Sequence, residues 1–168
     1  MRLPEAKEKF IQAWGTLATH WGISRTMAQV HALLLISPTS LSAEDVMEQL
    51  TISRGNANMN LRALIDWGLV SKELKSGERK EFFSAEKDVW KIFKQIAKER
   101  KKREIEPIGS ILEELKTIEG DKANADIKAF TNTIQDFQKF FSKTNKAIDT
   151  VIQADENWFF STLIKLLK

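Results

Sequence analysis

Apolar residues recur at helical spacing along most of the chain. Phe10, Trp14, Leu17, Ala18 and Trp21 stand at i, i+4, i+7, i+8 and i+11, one stripe of an amphipathic helix that stops near Gly22. Ser24 is placed to cap a second helix through Val30, Leu33, Leu34 and Ile36, ended by Ser37-Pro38. Ser42-Ala43-Glu44-Asp45 has the form of a capping box, an N-cap hydroxyl with a carboxylate three residues on. The short helix it opens offers Val46, Met47 and Leu50 for burial. Thr51-Ile52 then makes a turn, and Ser53 caps a helix that ends at Trp67-Gly68. Ala57, Leu61, Leu64 and Ile65 share the inner face of that helix.

The period then changes. Residues 69–74 and 80–84 are short, β-compatible stretches around Lys75-Ser76-Gly77-Glu78-Arg79, and the Ser-Gly pair predicts a hairpin. From Glu86 the helical pattern returns, with Val89, Trp90, Phe93, Ile96 and Ala97 as its stripe. Pro107 and Gly109 are expected to kink or break it. A further helix starts near Asp121 and carries Ile127, Phe130, Ile134, Phe137, Phe141, Ile148 and Val151. That spacing of threes and fours is a heptad-like seam, with Thr144 as its polar gap, suited to dimerisation. Trp158, Phe159, Leu163, Leu166 and Leu167 mark a last amphipathic helix. The order predicts a mainly α fold with a small β-hairpin wing: a winged helix-turn-helix plus a helical dimerisation extension. Residues 1–104 form the DNA-binding domain in this reading, and 105–168 the dimerisation region.

Composition narrows the function. The chain has no cysteine, which excludes a disulfide framework, a thiolate zinc site and a cysteine nucleophile together. The longest apolar run, 32–36, is far too short to span a membrane. The first nine residues are charged and lack an apolar signal core, so a cytoplasmic protein is expected. The net charge of +3 is unevenly spread. Residues 1–85 hold ten basic and nine acidic side chains, 86–104 eight and four, and 105–168 eight and ten. A basic middle followed by a slightly acidic end fits a DNA-facing part followed by one that is not.

The chemistry gathers on the helix after Ser53. Reading the major groove requires a helix end with small and hydrogen-bonding side chains, because bulky apolar ones prevent close approach. Ser53, Arg54, Gly55, Asn56, Asn58, Met59, Asn60 and Arg62 supply that set. Asn and Gly are poor helix formers, so stability alone does not account for them. Arg pairs bidentately with guanine and Asn with adenine, while Met59 suits a thymine methyl. Ser53 and the helix N-terminus suit a phosphate. Lys75, Arg79 and Lys80 at the hairpin tip suit the phosphate backbone or the minor groove. The run Lys98-Glu99-Arg100-Lys101-Lys102-Arg103-Glu104 is denser, but as a helix it spreads charge around the whole cylinder and ranks below the wing.

Several of these segments together resemble a known family. They are Trp21-Gly22, Ala32-Leu33-Leu34, Ser37-Pro38, Ile52-Ser53-Arg54-Gly55-Asn56, Met59-Asn60-Leu61-Arg62, Ile65-Asp66-Trp67-Gly68-Leu69-Val70, Gly77-Glu78-Arg79-Lys80 and residues 100–107. The sequence resembles the MarR-type winged-helix regulators, in the branch typified by the glycine betaine synthesis repressor. The resemblance implies a homodimeric transcription regulator whose terminal helices form the dimer interface. Members of that branch are associated with osmoprotectant genes and choline sensing, but no residue pattern beyond Pro107 identifies an effector. Trp14, Trp21, Trp67, Phe82, Phe83, Trp90 and Phe93 are the aromatics a quaternary-ammonium cage would draw on, and their helical spacing equally serves a core.

Catalysis finds no support: there is no P-loop, dinucleotide fingerprint or nucleophile elbow. His20 and His31 lie on different helices and suit packing or helix-end roles, so neither a metal nor a cofactor is expected. Glu113-Glu114 and Asp155-Glu156 read as solvated faces. The expected function is that of a sequence-specific DNA-binding regulator, a repressor acting as a homodimer on a pseudo-palindromic operator. Two alternatives stand beside it: a winged helix for protein–protein contact in a transcription or chromatin assembly, and a non-specific nucleoid-type DNA binder.

Overall fold

The computed structural model describes residues 1–20, 22–120 and 124–167, so Trp21 and the expected helix start at Asp121 lie outside the described residues. The chain divides into two compact units, Met1–Ile92 and Phe93–Lys168. The division falls within a helix, ahead of the boundary after residue 104 expected from the sequence.

The first unit opens with α1 (Leu3–His20) and α2 (Arg25–Ile36), followed by β1 (Leu41–Ser42), α3 (Ala43–Leu50), α4 (Arg54–Asp66), β2 (Val70–Leu74) and β3 (Glu81–Ala85). Ser24 begins α2 by accepting from the Met27 N–H. Apolar on nearly all sides, α2 is the central helix, burying Met27, Ala28, Val30, His31, Ala32, Leu33 and Leu34. The inner face of α1 is Ile11, Gly15 and Ala18 rather than the expected larger stripe, and Leu17 is exposed. Gly15 is the reason: a Cβ there would lie 2.8 Å from Gln29 Cγ and 3.2 Å from Arg25 Cγ, so α1 approaches α2 through its smallest residue.

The C-terminal end of α2 has an unusual cap. The Lys87 ammonium donates to the carbonyls of Leu34 (2.6 Å), Leu35 (2.7 Å) and Ser37 (2.8 Å). A cation here satisfies orphan carbonyls and complements the negative end of the helix dipole. Desolvation holds its pKa below the ordinary lysine value. The capping box at α3 is present: Ser42 Oγ accepts from the Asp45 N–H, and the Asp45 carboxylate accepts from the Ser42 N–H at 2.8 Å. The turn into α4 is tight. Thr51 takes φ 53°, a left-handed conformation that β-branched residues adopt at a cost. At the other end of α4, Gly68 (φ 67°) closes a Schellman motif, with Gly68 N–H to Ile65 O and Leu69 N–H to Leu64 O.

The strands form an antiparallel sheet in the order β1-β3-β2, pairing Leu41 with Phe83 and Val70 with Ala85. Its third strand is an addition to the expected hairpin. Val46, Ala57, Leu61, Leu64 and Phe83 join α2 in the core. Mainly helical, with a turn between α3 and α4 and a sheet after them, the unit has the arrangement of a winged helix-turn-helix.

The second unit takes in most of α5 (Val89–Arg100), then a π-helical segment (Lys101–Ile105), α6 (Glu106–Glu114), α7 (Ala125–Gln153) and α8 (Glu156–Leu166). The expected break at Pro107 appears as the π segment. Proline has no N–H to offer Arg103, and just ahead of it the Glu106 N–H reaches five residues back to Lys101 O. The helix re-registers without opening a loop, and Gly109 sits within α6. α7 packs against α6 and the π segment, and Gln138 Nε2 donates to Leu112 O at 2.5 Å. Asn124 caps α7, and Asp155 caps α8 by accepting from the Asn157 and Trp158 N–H groups, so Asp155 has a structural duty beyond solvation. Among the described residues, no helix is long and apolar enough to cross a membrane.

Candidate nucleic-acid interface

Ser53 fixes where α4 begins: extended (φ −67°, ψ 157°), it accepts the Asn56 N–H on its hydroxyl at 3.3 Å. The buried positions Ala57, Leu61 and Leu64 then turn the opposite side of the helix outward. Arg54, Gly55, Met59 and Arg62 are exposed, and Asn56 and Asn58 are half-exposed. Met59 leaves 63 % of its surface uncovered, costly in water and useful against an apolar contact. A Cβ built on Gly55 meets nothing within 4 Å, so packing within the chain does not require a glycine there.

Asn60 departs from the expectation. It is 3 % exposed, and its Nδ2 donates to Asn56 O (2.8 Å) and to Asn56 Oδ1 (2.7 Å). Lying between Ala57 and Leu64 on the inner side, it cannot face a groove from there. The sequence placed it among the DNA-binding residues because it is polar, although its phase along the helix is that of the core.

Arg54 is held at the helix start by Glu44, with Nη2 3.4 Å from Oε1 and both side chains well exposed. An exposed pair of this kind contributes little to stability and orients a guanidinium without hiding it. The wing turn is set by Gly77 (φ 81°) and the Glu78 N–H to Lys75 O bond. Arg79 and Lys80 are exposed beyond it. Lys75 folds back, its ammonium 4.0 Å from the centre of the Phe82 ring. The carboxyl of Asp45 is held below its ordinary pKa, first by hydrogen bonds from Ser42 and further by the charges of Lys80 and Lys75. The wing cations therefore lie within electrostatic reach of the start of α3. Glu73 is also lowered, by the Ser84 and Ser40 hydroxyls and then by Lys75.

The basic run behaves differently. Arg100 pairs with Glu104 (3.0 Å), Lys101 with Asp149 (2.5 Å) and Arg103 with the buried Glu99 (3.2 Å). Three of its cations are engaged inside the second unit. The candidate cage aromatics are scattered in role: Phe83 is core, Phe82 underlies Lys75, and Trp14 stacks on Phe10 and lies 6.3 Å from His31. Sequence reasoning missed Glu44 and Lys87, since their contacts cross elements and leave no local pattern.

The expected seam on α7 divides. Ile127, Ile134, Phe141, Ile148 and Val151 are half-buried within the unit, whereas Phe130 and Phe137 are exposed, Phe137 by 51 %. Phe140, outside the expected seam, is exposed by 63 %.

Comparison with known proteins gives a fold. A solved structure described as the crystal structure of a transcriptional regulator matches with a TM-score of 0.66 over 88% of this chain and 95% of that one, at 15% sequence identity. No family model matches the chain, and no curated protein sequence matches it.

Proposed function

We propose that this protein is a sequence-specific DNA-binding transcription regulator, acting in the cytoplasm as a homodimeric repressor on a pseudo-palindromic operator. The observation that carries the reading is the outer face of α4. Arg54, Gly55, Met59 and Arg62 stand uncovered there, with Asn58 half-exposed beside them, on a helix that better helix formers would have made more stable. α4 is the recognition helix in this reading. Ser53 and the helix N-terminus meet a phosphate, and Arg79 and Lys80 grip the backbone beside it. The resemblance to MarR-type regulators supports the assignment, and the residues specify no small-molecule effector.

A second copy is called for by α7. No residue of this 29-residue helix is buried, and Phe130, Phe137 and Phe140 lie uncovered along it. Self-association through these rings would present two recognition helices about one turn of DNA, roughly 10 bp, apart. Selection from a random DNA pool at near-physiological salt tests the reading. A palindromic enriched site supports it; binding without enrichment that collapses steeply with salt would favour a non-specific binder.

A further inference from the structure

Asn56 and Asn60 form a relay whose direction is fixed from inside the protein. The Asn60 Nδ2 group lies 2.8 Å from a backbone carbonyl, Asn56 O, which only accepts. The Asn60 amide can therefore stand one way round, nitrogen toward Asn56. Its second proton goes to the Asn56 side chain, 2.7 Å away. Turning the Asn56 amide over would set two NH2 groups against each other. The Asn56 oxygen thus points inward and its NH2 group is the prong turned away from Asn60. The donor that enforces this is buried, where an unpaired amide is costly and a satisfied one is rigid.

We infer that Asn60 is a positioning residue that makes Asn56 a donor-only reader, selecting a base edge made of acceptors. This rests on α4 being the recognition helix. The bidentate pairing of asparagine with adenine requires the amide oxygen and nitrogen side by side, accepting from N6 and donating to N7. With its oxygen turned inward onto Asn60, Asn56 presents its protons outward. Guanine, with O6 and N7, is the matching edge, thymine O4 follows, and cytosine, which offers a donor, is rejected. This replaces the adenine partner expected for Asn56 from its residue type.

The test compares the full-length protein with Asn60→Leu and Asn56→Asp in selections from a random DNA pool. Asn56→Ala identifies the base position read by residue 56. The wild type is expected to enrich guanine, or thymine second, at that position. Asn60→Leu frees the amide to turn, and the preference for guanine over adenine falls roughly fivefold. Asn56→Asp keeps an oxygen toward Asn60, turns another outward, and moves the enrichment to cytosine. Adenine in the wild type, or an unchanged preference in Asn60→Leu that melts cooperatively, overturns the inference while leaving DNA reading intact. No enrichment at any position overturns both.

A measurement without DNA covers a variant that fails to fold. In the isotope-labelled free protein, the Asn60 side-chain amide protons should exchange about tenfold more slowly than those of Asn58. Equal rates mean that Asn60 does not hold Asn56, and the inference falls whatever the selections give.

Discussion

Gly55→Ala separates what the chain needs from what a partner needs. Gly55 is the second residue of α4, and an added Cβ meets no atom within 4 Å. In the free protein the exchange has only a backbone consequence. Alanine loses less conformational freedom on entering a helix, which favours the variant by about 0.5–1 kcal/mol. For a chain of this size the melting temperature should rise by about 1–4 °C. If α4 enters the major groove, the same methyl stands where nucleic acid has to approach. Binding to the selected site should then weaken by about 1–3 kcal/mol, the scale of one mismatched base pair. Thermal melting and DNA titration at fixed salt read the two effects. Gly109→Ala is the matched control, since it is helical and equally open; it should gain stability and leave affinity unchanged. A Gly55→Ala protein that is more stable and binds as tightly as the wild type would refute a close approach at this surface.

The remaining expectations concern both units. His31 is 3 % exposed, its Nε2 has no hydrogen-bond partner, and burial together with the Lys87 charge pushes its pKa from 6.5 down to about 4. The unfolded chain takes up the proton first. His31 therefore contributes stability that is present above about pH 6.5 and lost as the pH falls toward 4, by about 3 kcal/mol in all. Urea unfolding across that window should show the loss in the wild type and not in His31→Leu. Lys87→Met strips three carbonyls of their cation and should cost about 2 kcal/mol, read as a lower urea midpoint at unchanged slope. Arg54→Ala should relax base preference at one position of each half-site, whereas Arg79→Ala should weaken all sequences alike. If both variants lose affinity uniformly, the division between base reading and backbone grip is wrong. Phe137→Asp combined with Phe140→Asp should sediment as a monomer at micromolar concentration where the wild type sediments as a dimer.

The parts of this fold legible in the sequence are those decided within a few residues. Ser24, Ser42 with Asp45, and Ser53 announce helix starts because a cap is local chemistry: a side-chain oxygen and an N–H two or three residues on. The wing is legible because its turn is. β1 is not, since two residues become a strand only by pairing with Phe82 and Phe83, forty residues away. Lys87 looks like any surface lysine until α2 is brought beneath it. Of the candidate site, the outward residues of α4 could be read from low helix propensity on a face with no packing duty. Asn60 could not be assigned by residue type: its position along the helix said core and its polarity said surface. Only the carbonyl of Asn56 explains how both hold. Glu99 misleads in the same way, as a charge in a basic run that is buried against Arg103.

The π segment ahead of Pro107 acts as a phase shifter. Each residue of an α-helix advances the surface by about 100°, and a π turn accommodates one residue more than an α turn. Because the π turn absorbs that extra residue, straightening Lys101–Ile105 into α geometry at unchanged length would rotate every side chain from Glu106 onward by that angle. Leu112, now buried, would swing toward solvent, and its carbonyl would lose Gln138. The hydrogen-bond register of this turn is thus an angular coordinate. It sets which side of α6 meets α7, and through α7 the direction in which Phe137 and Phe140 are offered.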